Sequence, residues 1–214
     1  NVSFMKKAAL FDLDGVIIDS ETQYTEFWGS QFHLYYPDQQ GLEYLIKGMT
    51  LTQIYERYFA DQEEQRNCIT KALDDFELDM HYDYIAGFED YIHRLRIKGI
   101  KMAVVTSSNL GKMANVYQQH PDFRSLFDSI LTSEDFERSK PDPDGYLKAA
   151  KALGVEPGEC VGYEDSINGL KAVRAAGMFC VGLTTTNSRE VVKPLADVVI
   201  DDFTQLPDDF FEEA

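Results

Sequence analysis

The chain has 214 residues, 44% of them hydrophobic and 13% aromatic, enough to fill the core of one large domain or of a domain carrying an insertion. Its 37 acids against 20 bases leave a formal charge of −17 with no basic run to offset it, which excludes nucleic acid and acidic membrane surfaces as partners; an anionic ligand must be captured by local groups. No apolar run approaches the ~18 residues of a membrane span, and Cys68, Cys160 and Cys180 lack CxxC spacing, so buried reduced thiols, a cytoplasmic location and a monomeric state are expected.

Met5-Lys6-Lys7 reads as a native start, with Asn1 to Phe4 extraneous to it. The first predicted strand, 7–12, ends in Asp12-Leu13-Asp14-Gly15. Two acids one residue apart project from the same side of an extended chain and repel, and taking them from water costs several kcal/mol each unless a cation joins them. A divalent metal site is the natural reading, in which one carboxylate can also act as a nucleophile while the other handles protons. A turn with solvated acids is the plain alternative. A calcium loop would put Glu21 at its last ligand position but Leu10 at its first, where an acid is required, and would need a preceding helix rather than a strand. The same two acids break the only early apolar run, which is therefore no signal peptide.

From 20 to 83 no convincing strand occurs. Helices are predicted at 21–32, near 41–46, at 51–59 and at 62–78, with Tyr24, Phe27, Trp28 and Phe32, then Ile54, Tyr55, Tyr58 and Phe59 at helical spacing and so assigned to a core. This segment is expected to be a small helical cap inserted between 1–19 and 84–214, which form the catalytic core. It leaves at the carboxyl end of the first strand, where open α/β sheets bind ligands, and so would act as a lid.

Beyond 84, strands at 101–106, 128–132, 159–163, 178–183 and 197–200 alternate with helices at 87–98, 110–120, 143–153, 166–176 and 188–195, and Gly99, Gly154 and Gly177 stand where helices should stop. The alternation predicts an α/β fold with a Rossmann-like, doubly wound parallel sheet. Three strand ends carry further chemistry. Thr106-Ser107-Ser108-Asn109 offers hydroxyls and free N–H groups for a phosphate, or only a helix cap. Ser139-Lys140-Pro141-Asp142-Pro143 holds a lysine in a stiff turn, and Gly162-Tyr163-Glu164-Asp165-Ser166 adds two acids, one of which helix capping would explain but not both. A doubly wound sheet brings these ends together, giving oxygen ligands for magnesium and donors for a phosphoryl group. The acidic tail from Asp208 is expected to be solvated with Phe210 and Phe211 docked.

These four motifs, in this order and spacing, closely resemble those of the haloacid dehalogenase (HAD) superfamily over nearly the whole chain, and in particular the helical-cap branch that contains β-phosphoglucomutases and many small sugar-phosphate and phosphoglycolate phosphatases. The resemblance implies that Asp12 attacks phosphorus and becomes an aspartyl phosphate, and that Asp14 protonates the leaving oxygen and then activates water. It implies a Mg2+ held by Asp12, the backbone carbonyl of Asp14 and Asp165, with Glu164 orienting a metal-bound water. Thr106 and the N–H groups of Asp14 and Ser107 would hold the phosphoryl group, with Ser108 beside them, and Lys140 would neutralise charge. Dehalogenases and phosphonoacetaldehyde hydrolases lack an acid at the position of Asp14, which excludes both.

In Ile46-Lys47-Gly48-Met49-Thr50, similar to a cap loop that reaches the site, Lys47 is the candidate substrate contact, against a solvated helix-end lysine. The mutases of this branch carry a histidine early in the first cap helix and an arginine in the cap loop; Tyr24 and Leu51 stand there, and Leu110 replaces a polar group. A phosphatase acting on a small phosphorylated metabolite is therefore expected, with a phosphomutase as the alternative. Response-regulator receiver domains, or an idle binding protein, share the pocket chemistry, but receiver domains lack the helical insertion and the second acid and are much shorter.

Overall fold

The computed structural model describes residues 6–47 and 49–213; Asn1 to Met5, Gly48 and Ala214 lie outside the described residues. Six strands form one parallel sheet in the order β3-β2-β1-β4-β5-β6. In chain order they are β1 (Ala8–Phe11), β2 (Lys101–Val105), β3 (Ser129–Leu131), β4 (Cys160–Glu164), β5 (Phe179–Leu183) and β6 (Val198–Ile200). Because successive side chains alternate across a strand, β1 is buried on both faces. Ala8 and Leu10 pack with Tyr146, Leu153, Leu170 and Val173, whereas Ala9 and Phe11 pack with Phe88, Tyr91, Met113 and Phe203.

Helices α1 (Glu21–Tyr35), α2 (Leu42–Leu45), α3 (Leu51–Tyr58) and α4 (Glu63–Asp79) follow β1 without an intervening strand among the described residues. They bury a cluster of their own, centred on Phe27, Trp28, Phe32, Ile54, Phe59, Ile69 and Leu73. The expected aromatic core is thus present, although Tyr24, Tyr55 and Tyr58 sit at its margin. The chain enters and leaves this segment through two crossings bonded to each other, Asp19 N–H to Asp83 O at 2.8 Å and Ile85 N–H to Ile17 O at 2.9 Å. The sheet is covered by α5 (Phe88–Ile97) and α6 (Leu110–Gln119) on one face and by α7 (Asp144–Leu153) and α8 (Ile167–Ala175) on the other.

Gly99, Gly154 and Gly177 all adopt positive φ at helix ends, a conformation open to glycine at no steric cost. Three expectations need correction. The first cap helix runs past 32 to Tyr35, since no breaker occurs before Pro37. The helix expected at 188–195 is a single turn, α9 (Arg189–Val192), followed by a 3-10 turn containing Pro194, whose missing N–H cannot continue the helix. Cys68 is exposed on α4 next to the buried Ile69, while Cys160 and Cys180 are buried; all three are free. A terminal turn, α10 (Phe210–Glu213), buries Phe210 and Phe211 as expected, and no described helix is long and apolar enough to cross a membrane.

Candidate active site

The strand register builds the site. Phe11 lies opposite Val104 of β2 and Tyr163 of β4, so the next residue, Asp12, emerges level with Val105 and Glu164 at the carboxyl edge. Lys140 arrives from the turn before α7 and is nearly buried, a placement tolerable for an ammonium only with partners. It donates to Asp12 Oδ1 at 2.7 Å and to the Val105 carbonyl at 3.0 Å, and pairs with Glu164 Oε1 at 2.5 Å. Burial works against its charge, yet Asp12 and Glu164 hold its pKa above the ordinary lysine value. Tyr146, fully buried on α7, also donates to Glu164 Oε1 at 2.6 Å.

Asp12, Glu164 and Asp165 present carboxylate oxygens within 4.8 Å of one another. Burial first, and then the Glu164 charge, push the Asp12 carboxyl up to about 8 against the pull of Lys140. Asp165 is raised well above the carboxylate range by burial and by Glu21, Asp12 and Glu164. Three buried hard-oxygen donors that repel one another, with Glu164 Oε2 buried and unpartnered, fit a small divalent cation. Space for the cluster is made by glycine: a Cβ at Gly169 would lie 1.9 Å from Glu164 Oε2, and one at Gly15 would lie 2.1 Å from Asp165 Oδ2.

Asp14 does not join the triad with its side chain. Ser108 donates to its Oδ2 at 3.0 Å, and both Ser20 and the Lys112 ammonium bond Oδ1. Burial alone would raise the Asp14 carboxyl, but the Lys112 charge and these hydrogen bonds bring it below its usual range. Of the two readings of the turn Thr106 to Asn109, the structure shows the helix cap and leaves the hydroxyls before it out of that cap. Asn109 caps α6 by accepting from the Lys112 N–H at 2.9 Å, so capping does not consume the hydroxyls before it. Thr106 is buried on the cleft wall with Oγ1 accepting from the Ser108 N–H at 3.0 Å, and Ser107 Oγ is buried without a partner. At the other acidic pair, Ser166 caps α8 through Gly169 N–H at 3.0 Å, which frees Asp165.

Lys47 lines the cleft but is engaged, donating to Glu21 Oε2 at 2.5 Å, to Thr25 Oγ1 at 2.6 Å and to the Glu21 carbonyl at 3.3 Å. Together the strand ends and the helical segment enclose a cleft of about 780 Å³. Four contributors escaped the sequence reading: Lys112, Tyr146, Gly169 and the loop Thr184 to Asn187, in which Thr186 bonds the Asp165 carboxylate and Asn187 Nδ2 donates to the Asp165 carbonyl at 3.0 Å. The hydroxyl-rich run Thr184-Thr185-Thr186-Asn187 directly after a strand was a usable signal for the last of these. The other three carry no local pattern.

A family model described as haloacid dehalogenase-like hydrolase matches residues 9–183. The chain belongs to the haloacid dehalogenase-like hydrolase family. Among its relatives is the validoxylamine A 7'-phosphate phosphatase of Streptomyces hygroscopicus subsp. limoneus, 33% identical over 94% of this chain and 96% of that protein. Hexitol phosphatase B of Escherichia coli is 27% identical, covering 93% of each chain. A crystal structure of β-phosphoglucomutase from Clostridium difficile superposes with a TM-score of 0.80 at 25% identity, covering 98% of this chain and 96% of that one. Within this family the chain is a phosphoric monoester hydrolase.

Proposed function

We propose that this HAD-family hydrolase is a Mg2+-dependent phosphatase of a small, sugar-phosphate-like metabolite, working through an aspartyl phosphate on Asp12 as a cytoplasmic monomer. The observation that carries the reading is the division between the two acids: Asp12 joins a carboxylate triad and a buried lysine, whereas Asp14 is held apart by hydroxyls and Lys112. Asp12 attacks phosphorus and the P–O bond to the leaving group breaks; Asp14, ionised against Lys112 in this structure, must take up a proton before it can protonate that oxygen as the acid. Asp14 then takes a proton from water, which attacks the same phosphorus and releases phosphate and Asp12. Thr106, Ser107 and Ser108 with the backbone N–H groups of Asp14 and Ser107 hold the transferring oxygens, and Lys140 offsets their charge. Mg2+, held by Asp12, Asp165, the Asp14 carbonyl and, through water, Glu164, would supply positive charge to the phosphoryl group. Residues 20–83 form the cap over a core of 1–19 and 84–214, with Lys47 on the wall between them.

Tyr24 favours a hydrolase over a mutase. Its hydroxyl donates to Glu77 Oε1 at 2.7 Å, and burial raises its pKa well above the usual phenol value, so it carries no proton for a sugar acceptor. The names of the phosphatase relatives support the same choice. The test is phosphate release from p-nitrophenyl phosphate with Mg2+, after chelation, and in Asp12→Asn. Chelation should stop turnover reversibly and Asp12→Asn should leave less than about 10⁻³ of it while remaining folded. Substantial turnover by that variant would sink the reading.

A further inference from the structure

We infer that the cleft selects phosphate monoesters whose remaining part is an uncharged or amino-bearing polyol, and rejects those carrying a second anion. The inference rests on the placement of the phosphoryl group beside Asp12 proposed above. Among the described residues lining the cleft, nine carboxylates face three lysines, and no arginine lines it. Each lysine is already matched. Lys140 is paired with Asp12 and Glu164 and belongs to the reacting phosphoryl group. Lys112 is paired with Asp14 and lies 4.3 Å from the Tyr24 ring centroid. Lys47, the candidate receptor on the cap side, spends its donors on Glu21 and Thr25.

The surplus of acid lies away from the triad. Glu43, Glu56, Glu134 and Glu137 line the cleft, and none has an ion-pair partner among the described residues. Glu134 is fixed as an acceptor by Thr132 Oγ1 at 2.7 Å, the Leu110 N–H at 3.2 Å and Ser133 Oγ at 3.2 Å. A distal carboxylate or phosphate therefore meets like charge with no cation to receive it, while a hydroxyl or ammonium meets acceptors. Thr52, Gln53, Asn109 and Ser133 add neutral polar groups suited to hydroxyls.

Two matched series test this by kcat/KM with Mg2+ present: glucosamine 6-phosphate, glucose 6-phosphate and 6-phosphogluconate; and glycerol 3-phosphate against 3-phosphoglycerate. In each, the esters without a second anion should exceed the carboxylate ester by about tenfold or more, and the gap should narrow as salt screens it. The double variant Glu56→Gln/Glu137→Gln should also narrow it. A gap smaller than that in both series, or hydrolysis of p-nitrophenyl phosphate with no polyol ester accepted, would overturn the inference. Absence of phosphate release from every ester, p-nitrophenyl phosphate included, would instead overturn the phosphatase reading beneath it.

Discussion

Lys112 reaches Asp14 from 98 residues along the chain, and it is 3% exposed. A lysine so buried is held by the carboxylate it faces, and breaking such a pair leaves an uncompensated charge worth about 3–5 kcal/mol of stability. Lys112→Met should lower stability by that order and, if Asp14 handles protons as proposed, also cut kcat, because Asp14 Oδ1 loses its anchor. The loss should be larger on an alkyl phosphate than on p-nitrophenyl phosphate, whose leaving group needs no proton, and Lys112→Arg should recover part of it. An equal loss on the two esters would mark Lys112 as a counter-ion without a positioning role. Gly169 offers a second test. An alanine Cβ would occupy the position of the Glu164 carboxylate, so Gly169→Ala should displace Glu164 and cost about a hundredfold in Mg2+ affinity or activity, which a metal titration reads directly. Neither residue was legible in the sequence. Lys112 follows a turn that already explained itself as a helix cap, and Gly169 looks like any helical glycine until Glu164 is seen in its space.

Among elements, the six strands and the polar turns at their carboxyl ends were legible because buried parallel strands are short apolar runs and their ends interrupt them with Asp12, Thr106 and Glu164. Helix limits were less so: nothing before Pro37 announces the end of α1, and Pro194 divides what periodicity joins. The cap helices form a cluster separate from those of the sheet, with Phe59 fully buried among Phe32, Tyr35, Tyr36 and Tyr55. Phe59→Ala should remove about 3–5 kcal/mol from that cluster and loosen α1 to α4 selectively. Hydrogen exchange should then rise in 21–79 while β1 and β4 stay protected; uniform loss of protection would show that cap and sheet unfold as one.

At the scale of the whole molecule, a −17 chain gathers three carboxylates at one sheet edge, where Lys140 pairs with Asp12 and Glu164 and the remaining repulsion favours protons or a divalent cation. Burial and mutual repulsion push the Asp12 carboxyl up to about 8 and raise Asp165 above its usual range, so a divalent cation binding there competes with protons. Apparent Mg2+ affinity should therefore weaken as pH falls below about 8, with protons released on binding. Calorimetry in buffers of different ionisation heat measures both, and a flat affinity with no proton release would contradict it. At a free concentration of about a hundred times Kd, Mg2+ should add roughly 2.7 kcal/mol and raise Tm by about 5–10 °C. EDTA should reverse the shift.

The hydrogen bonds joining Asp19 to Asp83 and Ile85 to Ile17 have a consequence for how this fold can change. A segment whose ends are already fastened to each other demands the same footing from the sheet whatever its length, and the entropy of closing it grows only logarithmically with the residues it contains. Insertions, deletions or wholesale replacement between those two crossings leave the spacing of Asp12, Thr106, Lys140 and Asp165 untouched. Under the proposed division into cap and core, recognition is thereby transplantable: a foreign helical segment sewn in after Ser20, which must stay to bond Asp14, would bring its own lining to the same strand-end groups.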